Sequence, residues 1–218
     1  MALALEEALR ARRFDLRRGR LPAPAPEAEA PRGSLESLRG RLVQLDGGVG
    51  AGAALTLAAA YLREAQGAGE PVAWIQGGAA GEGEPSIFFP ADLLAWGIDL
   101  SALPVVRAKG APFAAADKLL RSGAFGLLVI DLAGPGELPL AAQTRLSGLA
   151  QRHECVVIFL TDRGPEDESL GSLLSLRLSC RWRRDGGRFL CRAEALKDKR
   201  LGPGWSRELE VTGAPGLR

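Results

Sequence analysis

From residue 42 to residue 160 the chain alternates two hydrophobic patterns. Short, almost continuous apolar runs fall at 42–45, 71–75, 103–106, 125–131 and 155–160. Runs of four to seven residues without polar alternation predict strands buried on both faces. Between them lie segments whose apolar residues recur every three or four positions, at 54–65, 90–96, 112–122 and 139–153. These predict helices. The third opens on Pro112, keeps Phe113, Ala116, Leu119 and Leu120 on one stripe and meets Gly123 just past its end, which is the usual punctuation of a helix. Strand and helix in alternation predict an α/β fold, a mainly parallel twisted sheet flanked by helices.

The C-terminal third changes period. From Leu174 to Trp182 the apolar residues Leu174, Leu176, Leu178, Cys180 and Trp182 alternate with Ser175, Arg177, Ser179 and Arg181. Asp185, Gly186 and Gly187 supply a turn, and Phe189, Cys191, Ala193 and Ala195 continue the apolar face on the return. This predicts a C-terminal antiparallel hairpin, followed by an edge strand at 207–211. Its other face carries Arg177, Arg181, Arg183, Arg188 and Arg192, either as a solvated strand face or as a binding surface for an acidic protein or phosphates.

The N-terminus is organised differently. Residues 2–14 read as a short helix with Leu5, Ala8 and Leu9 on one stripe among arginines, and residues 21–32, LPAPAPEAEAPR, read as an extended linker. The expected organisation is a helical arm at 1–20, a Pro/Ala-rich linker at 21–32 and a core domain at 33–218. Leu5, Leu9 and Phe14 are more apolar surface than so short a helix can bury alone. The arm therefore folds back on its own core or packs on a neighbour.

Composition narrows the function classes. The 218 residues are 46% hydrophobic with a formal net charge of +2, enough for a sizeable core and no global push toward nucleic acid or membrane. The charge is uneven, since both the first twenty residues and the stretch 177–200 are rich in arginine and lysine. No unbroken apolar h-region opens the chain and no apolar stretch reaches the length of a membrane span, so a cytoplasmic protein is expected. Cys155, Cys180 and Cys191 lie in strand-like runs without CxxC spacing, which suits a reducing compartment. His153 is the only histidine, so no metal site is expected.

The candidate chemistry lies at residues 47–54, GGVGAGAA. Gly47 and Gly52 bracket it with the spacing of the phosphate-binding pattern GxxxxGK[ST], between an apolar run and an Ala/Leu-rich helix. The lysine position is Ala53 and the hydroxyl position is Ala54. Lysine neutralises the β- and γ-phosphates and the hydroxyl binds Mg²⁺. The segment is either a phosphate loop stripped of its anchors or an ordinary glycine-rich turn.

The order of motifs resembles bacterial RecA over about 180 residues. GSLESLRGRLVQLDG (33–47) is similar to the RecA lead into its phosphate loop, and PADLLAWGIDLSALPVVRA (90–108) to the stretch before a short strand. LLRSGAFGLLVIDL (119–132) resembles the Walker B region, placing Asp131 at the Mg²⁺-side aspartate. LSGLAQRHECVVIFLTD (146–162) resembles the helix and strand that end in the glutamine switch, and EALKDKRLGPGW (194–205) the segment with the lysine pair, here Lys197 and Lys199. The resemblance implies a RecA-like core.

Its departures imply lost catalysis. Ile75 is followed by Gln76, Gly77 and Gly78 where the water-activating acid belongs, and the switch glutamine falls at Asp162 or Thr161. Lys197 and Lys199 either reach a neighbouring subunit's nucleotide or are simply exposed. The two DNA loops of RecA are replaced by residues 133–137 and by the acidic stretch 162–168, so weak or no DNA binding is expected. The chain is thus expected to be no enzyme and to use no cofactor. The derivatives it resembles are ImuA, which partners the inactive Y-family polymerase relative ImuB in damage-induced mutagenesis, and SulA, which inhibits cell division. The resemblance favours an ImuA-type accessory protein with an ImuB-like partner, RecA or a second copy of itself as its contacts.

Overall fold

A computed structural model of the protein describes residues 30–48, 52–77, 89–132, 137–185 and 188–211. The arm residues Leu5, Leu9 and Phe14, most of the linker, residues 49–51 of the glycine loop and residues 133–136 lie outside the described residues. From Pro31 onward the described residues belong to one compact unit.

Each apolar run forms a strand. These are β1 (Leu42–Asp46), β2 (Val72–Gln76), β3 (Val105–Arg107), β4 (Leu127–Asp131) and β5 (Val156–Thr161). The C-terminal third adds β6 (Leu176–Asp185), β7 (Arg188–Asp198) and β8 (Ser206–Val211). The helices are α1 (Gly52–Gly67), α2 (Pro90–Ala95), α3 (Pro112–Ser122) and α4 (Leu140–Arg152). A 3-10 turn at Leu100–Ala102, capped by the Asp99 side chain, delays β3 by two residues relative to the apolar pattern.

The strands make one sheet in the order β3-β2-β4-β5-β1-β6-β7-β8. Strands β1 to β6 are parallel, and β7 and β8 return antiparallel. Because successive side chains point to opposite faces, each buried strand feeds two cores. Val43, Leu45, Trp74, Val129 and Ile158 pack under α1, whose buried stripe includes Ala53, Ala54, Leu57, Ala58, Tyr61 and Leu62. Leu42, Ala73, Ile75, Ile130, Val157 and Phe159 pack under α3 and α4 through Ala116, Leu120, Leu146 and Ala150. The architecture is the RecA-like one expected, including the antiparallel hairpin and edge strand. Among the described residues no helix is long and apolar enough to cross a membrane.

Two buried ion pairs pin the central strand, one at each end. At the entry to β1, Arg41 is 2% exposed and donates to the Asp198 carboxylate (2.6 Å) and to the hydroxyl and carbonyl of Ser175 (3.0 and 2.8 Å). Asp198 also accepts from the Trp205 indole N–H at 3.0 Å and from the backbone N–H groups of Arg200 and Leu201. Burial pushes this carboxyl up, and the bonds from Arg200, Arg41, Leu201 and Trp205 together outweigh it, so its pKa is lowered.

A carboxylate whose folded pKa is depressed contributes stability above its unfolded value, about 3.9, and loses it as pH falls through the folded one. Asp198→Asn should therefore flatten the loss of stability between pH 4 and lower values, measured by urea unfolding across pH. Arg41→Met, which leaves the buried carboxylate unpaired, should cost about 3–5 kcal/mol at neutral pH.

Candidate functional site

In open α/β sheets ligands sit at the carboxyl ends of the parallel strands, where the chain reverses direction across the sheet. Here that edge reads Gln76, Asp131, Leu160 across β2, β4 and β5, then Thr161, Asp46, Ser179 across β5, β1 and β6. The glycine loop leaves β1 at this edge and α1 begins at Gly52, so the strand–loop–helix context of the sequence pattern is present.

The chemistry at the edge is turned inward. The Asp46 carboxylate, 1% exposed, accepts from the Gln44 amide (2.7 Å), the Thr161 hydroxyl (2.6 Å) and the Arg177 guanidinium (2.5 Å). Gly47 N–H donates to the Thr161 carbonyl at 3.0 Å, and Gly48 N–H to that of Arg163 at 3.2 Å. Two amides at the start of the loop are thereby committed to β5 and its continuation. Ala53 and Ala54 are 3% and 0% exposed and belong to the core beneath the hairpin. The Cys191 thiol, which burial pushes up to about 11, donates to the Ala53 carbonyl at 3.2 Å.

Arg177 corrects the sequence reading. Alternation placed it on an exposed arginine face, yet it is 7% exposed. The first half of β6 pairs with β1 and is buried on both sides, because the β5–β6 loop folds back over it. Arg177 donates to the carbonyls of Asp167 (2.6 Å) and Gly164 (2.9 Å) in that loop while holding Asp46. Two glutamines complete the fastening. Gln44 accepts from Leu170 N–H at 2.9 Å, and Gln143 of α4 accepts from Leu173 N–H at 2.9 Å. A side chain at Gly171 would meet the Gln143 amide and displace it from this contact.

Lys197 and Lys199 belong to the same fastening. Both ammonium groups donate to the Ser172 carbonyl, at 3.1 and 2.8 Å. Burial lowers the Lys197 pKa, and Lys199 and Arg177 act in the same direction. Lys199 is exposed, as one of the two sequence alternatives has it, and Lys197 is half-buried; both make this contact within the chain. Asp131 is half-buried at the end of β4, and its carbonyl accepts from Gly77 N–H at 2.8 Å. Thr161 is committed to Asp46, and Asp162 points outward. Among the described residues no group of three His, Cys, Asp or Glu side chains is placed to hold a metal ion.

Arg181, Arg183, Arg188 and Arg192 do share a face of the hairpin beyond β1, where three are tied to β8. Arg183 and Arg192 pair with Glu208 (3.7 and 3.3 Å), and Arg188 pairs with Glu210 (3.3 Å). The opposite face carries residues the sequence reading missed. Trp182 and Phe189, expected under the core, are 47% and 41% exposed, with Arg184 beside them. β6 outruns β1 by the six residues 180–185; Cys180 still packs on α1, and beyond it the strand has β7 on one side and no strand on the other.

The Asp46–Arg177 pair sets a test. Arg177→Leu leaves a buried carboxylate without its cation and two loop carbonyls, those of Asp167 and Gly164, without their donor, and should cost about 3–5 kcal/mol in urea unfolding. Adding Asp46→Asn should recover part of that loss, because the uncompensated charge is gone. Equal loss in the single and double variants would mean that packing, not charge, holds the edge.

No protein-family model matches the chain, and no curated protein matches it in sequence. Solved structures do match it, among them the crystal structure of the RadB recombinase, with a TM-score of 0.55 at 20% sequence identity, covering 83% of this chain and 94% of that one. Identity at this level speaks to the fold alone, and the fold is that of a RecA-like core.

Proposed function

We propose that this protein is a non-catalytic RecA-like accessory factor that works through protein contacts instead of ATP turnover. The observation that supports this most is the filled carboxyl edge. Phosphate binding at a glycine loop needs a cation and free backbone amides. At this edge the buried cation, Arg177, is spent on Asp46, and the Gly47 and Gly48 amides are spent on β5. The loop that follows β5, which would line a DNA channel in RecA, is acidic and fastened to the sheet by Arg177, Gln44, Gln143, Lys197 and Lys199. An anionic, immobilised loop opposes a role in gripping single-stranded DNA.

The finer reading is the ImuA-type one. The protein acts in the DNA-damage response and translesion mutagenesis, contacting an ImuB-like inactive Y-family polymerase relative, RecA, or both. A SulA-like inhibitor of cell division is the alternative within the same class. A second reading, a weak nucleotide- or DNA-binding paralogue, draws support from the likeness to a recombinase and from the exposed Arg181, Arg183 and Arg188.

Two measurements separate these readings. With Mg²⁺ and single-stranded DNA present, the purified protein should show no ATP turnover above background, and Asp131→Ala should change nothing. Turnover that disappears in Asp131→Ala would overturn the proposal. Deleting residues 1–20 should reduce self-association in light scattering or capture of purified RecA. A truncated chain that matches the full one in both would remove the arm from the mechanism.

A further inference from the structure

The distal half of the β6–β7 hairpin is an unusual surface for a chain whose formal net charge is only +2. β1 accompanies β6 only as far as Ser179, so residues 180–185 and their partners on β7 overhang the carboxyl edge of the sheet. On the side facing the start of α1, Trp182 pairs with Cys191 and Arg184 pairs with Phe189. Trp182 and Phe189 are therefore diagonal neighbours on one face, about 7–8 Å apart. Cys191 is buried against α1, but both rings remain nearly half exposed. Gly52 leaves room under the indole, where even a methyl group would stand 3.6 Å from the Trp182 ring nitrogen.

The charges around the rings are not equivalent. Arg183, Arg188 and Arg192 are paired with Glu208 and Glu210, whereas Arg184, on the aromatic face, and Arg181, on the reverse, have no carboxylate within 4.0 Å among the described residues. An unpaired guanidinium, Arg184, beside two exposed aromatic rings is the composition of a protein–protein hot spot, in which Trp and Arg dominate. A polyphosphate chain needs more. Its affinity grows with the number of phosphates neutralised, and three of the five arginines are already neutralised.

We propose that the overhanging half of this hairpin is the docking site for an acidic segment of a partner protein, with Trp182 and Phe189 as its apolar anchors and Arg184 as the cation that meets its carboxylates. The proposal rests on the protein-contact reading above and names the surface through which that contact is made. An occupant with one or two apolar side chains between carboxylates would cover both rings and neutralise Arg184 and, at the margin, Arg181. Residues already paired with β8 would contribute little.

The test uses the full chain and a fluorescein-labelled 14-residue peptide in which Asp and Glu alternate with Leu and Phe, read by anisotropy. Controls are the same peptide with Lys for each acid and a 20-nucleotide oligo-dT. The acidic peptide should bind, the lysine peptide should not, and Trp182→Ala, Phe189→Ala and Arg184→Glu should each weaken binding about tenfold or more. Trp182→Phe should restore most of it, and Arg188→Gln should change it little. All these positions are exposed, so unchanged thermal unfolding is expected and separates docking from folding. Absence of binding by the unaltered chain, or equal binding by the three variants, overturns the proposal. So does tighter binding of oligo-dT that the same variants abolish, which would make the hairpin a nucleic-acid surface. Capture of RecA and of an ImuB-like polymerase relative, measured in parallel, separates the two levels. Capture that the variants leave untouched sinks the hairpin site and spares the accessory role. Hairpin-dependent peptide binding without either capture does the reverse.

Discussion

The central strand carries a buried charge at each end, and both charges are answered from the C-terminal strands. Arg41 enters β1 and is met by Asp198 at the end of β7, while Asp46 leaves β1 and is met by Arg177 on β6. Each pair is almost fully removed from water, where an unpaired charge would be several kcal/mol too costly to keep. The consequence is mutual dependence. β1 keeps its place between β5 and β6 only if the hairpin closes against it, and the hairpin keeps its register only if β1 presents the two charges at the right separation.

The second pair also decides what the edge of the sheet is for. A phosphate loop works because its carboxyl-edge polar groups face outward, toward a ligand. Here Asp46, Thr161 and Gln44 face one another and Arg177, and Arg177 reaches on into the β5–β6 loop. A loop tethered through its own carbonyls has nothing left to order when a ligand arrives, since ligands shift only equilibria in which they have different affinities for the two states. Among the described residues the tip of the hairpin, with Trp182 and Phe189, is one of the places where large apolar side chains remain exposed.

The architecture makes few demands on the residues of the glycine loop. The two cores need only apolar residues at alternate strand positions and on the helix stripes, and neither requires a lysine at 53 or a hydroxyl at 54. Alanine at both positions lets the start of α1 sit close under Cys180 and Cys191.

Much of this was legible in the residues alone. Continuous apolar runs such as CVVIFL and LLVI can be buried only between two layers, so a parallel sheet with helices on both faces followed from periodicity. The register of Gly47 with Gly52 and the absence of lysine and hydroxyl at 53 and 54 were equally readable, because spacing and side-chain identity are properties of the string. The state of the polar groups was not. Period two assigns Arg177 and Arg181 to one face, and the sequence holds no sign that the fourteen-residue loop between β5 and β6 turns back to bury the first and leave the second in water. Trp182 shares the apolar parity of Leu178 and Cys180, yet it stands past the last residue of β1 and so has no core to enter. Burial depends on what lies across the sheet and beyond the strand's end, contacts between residues far apart in the chain, and only the tertiary structure decides them.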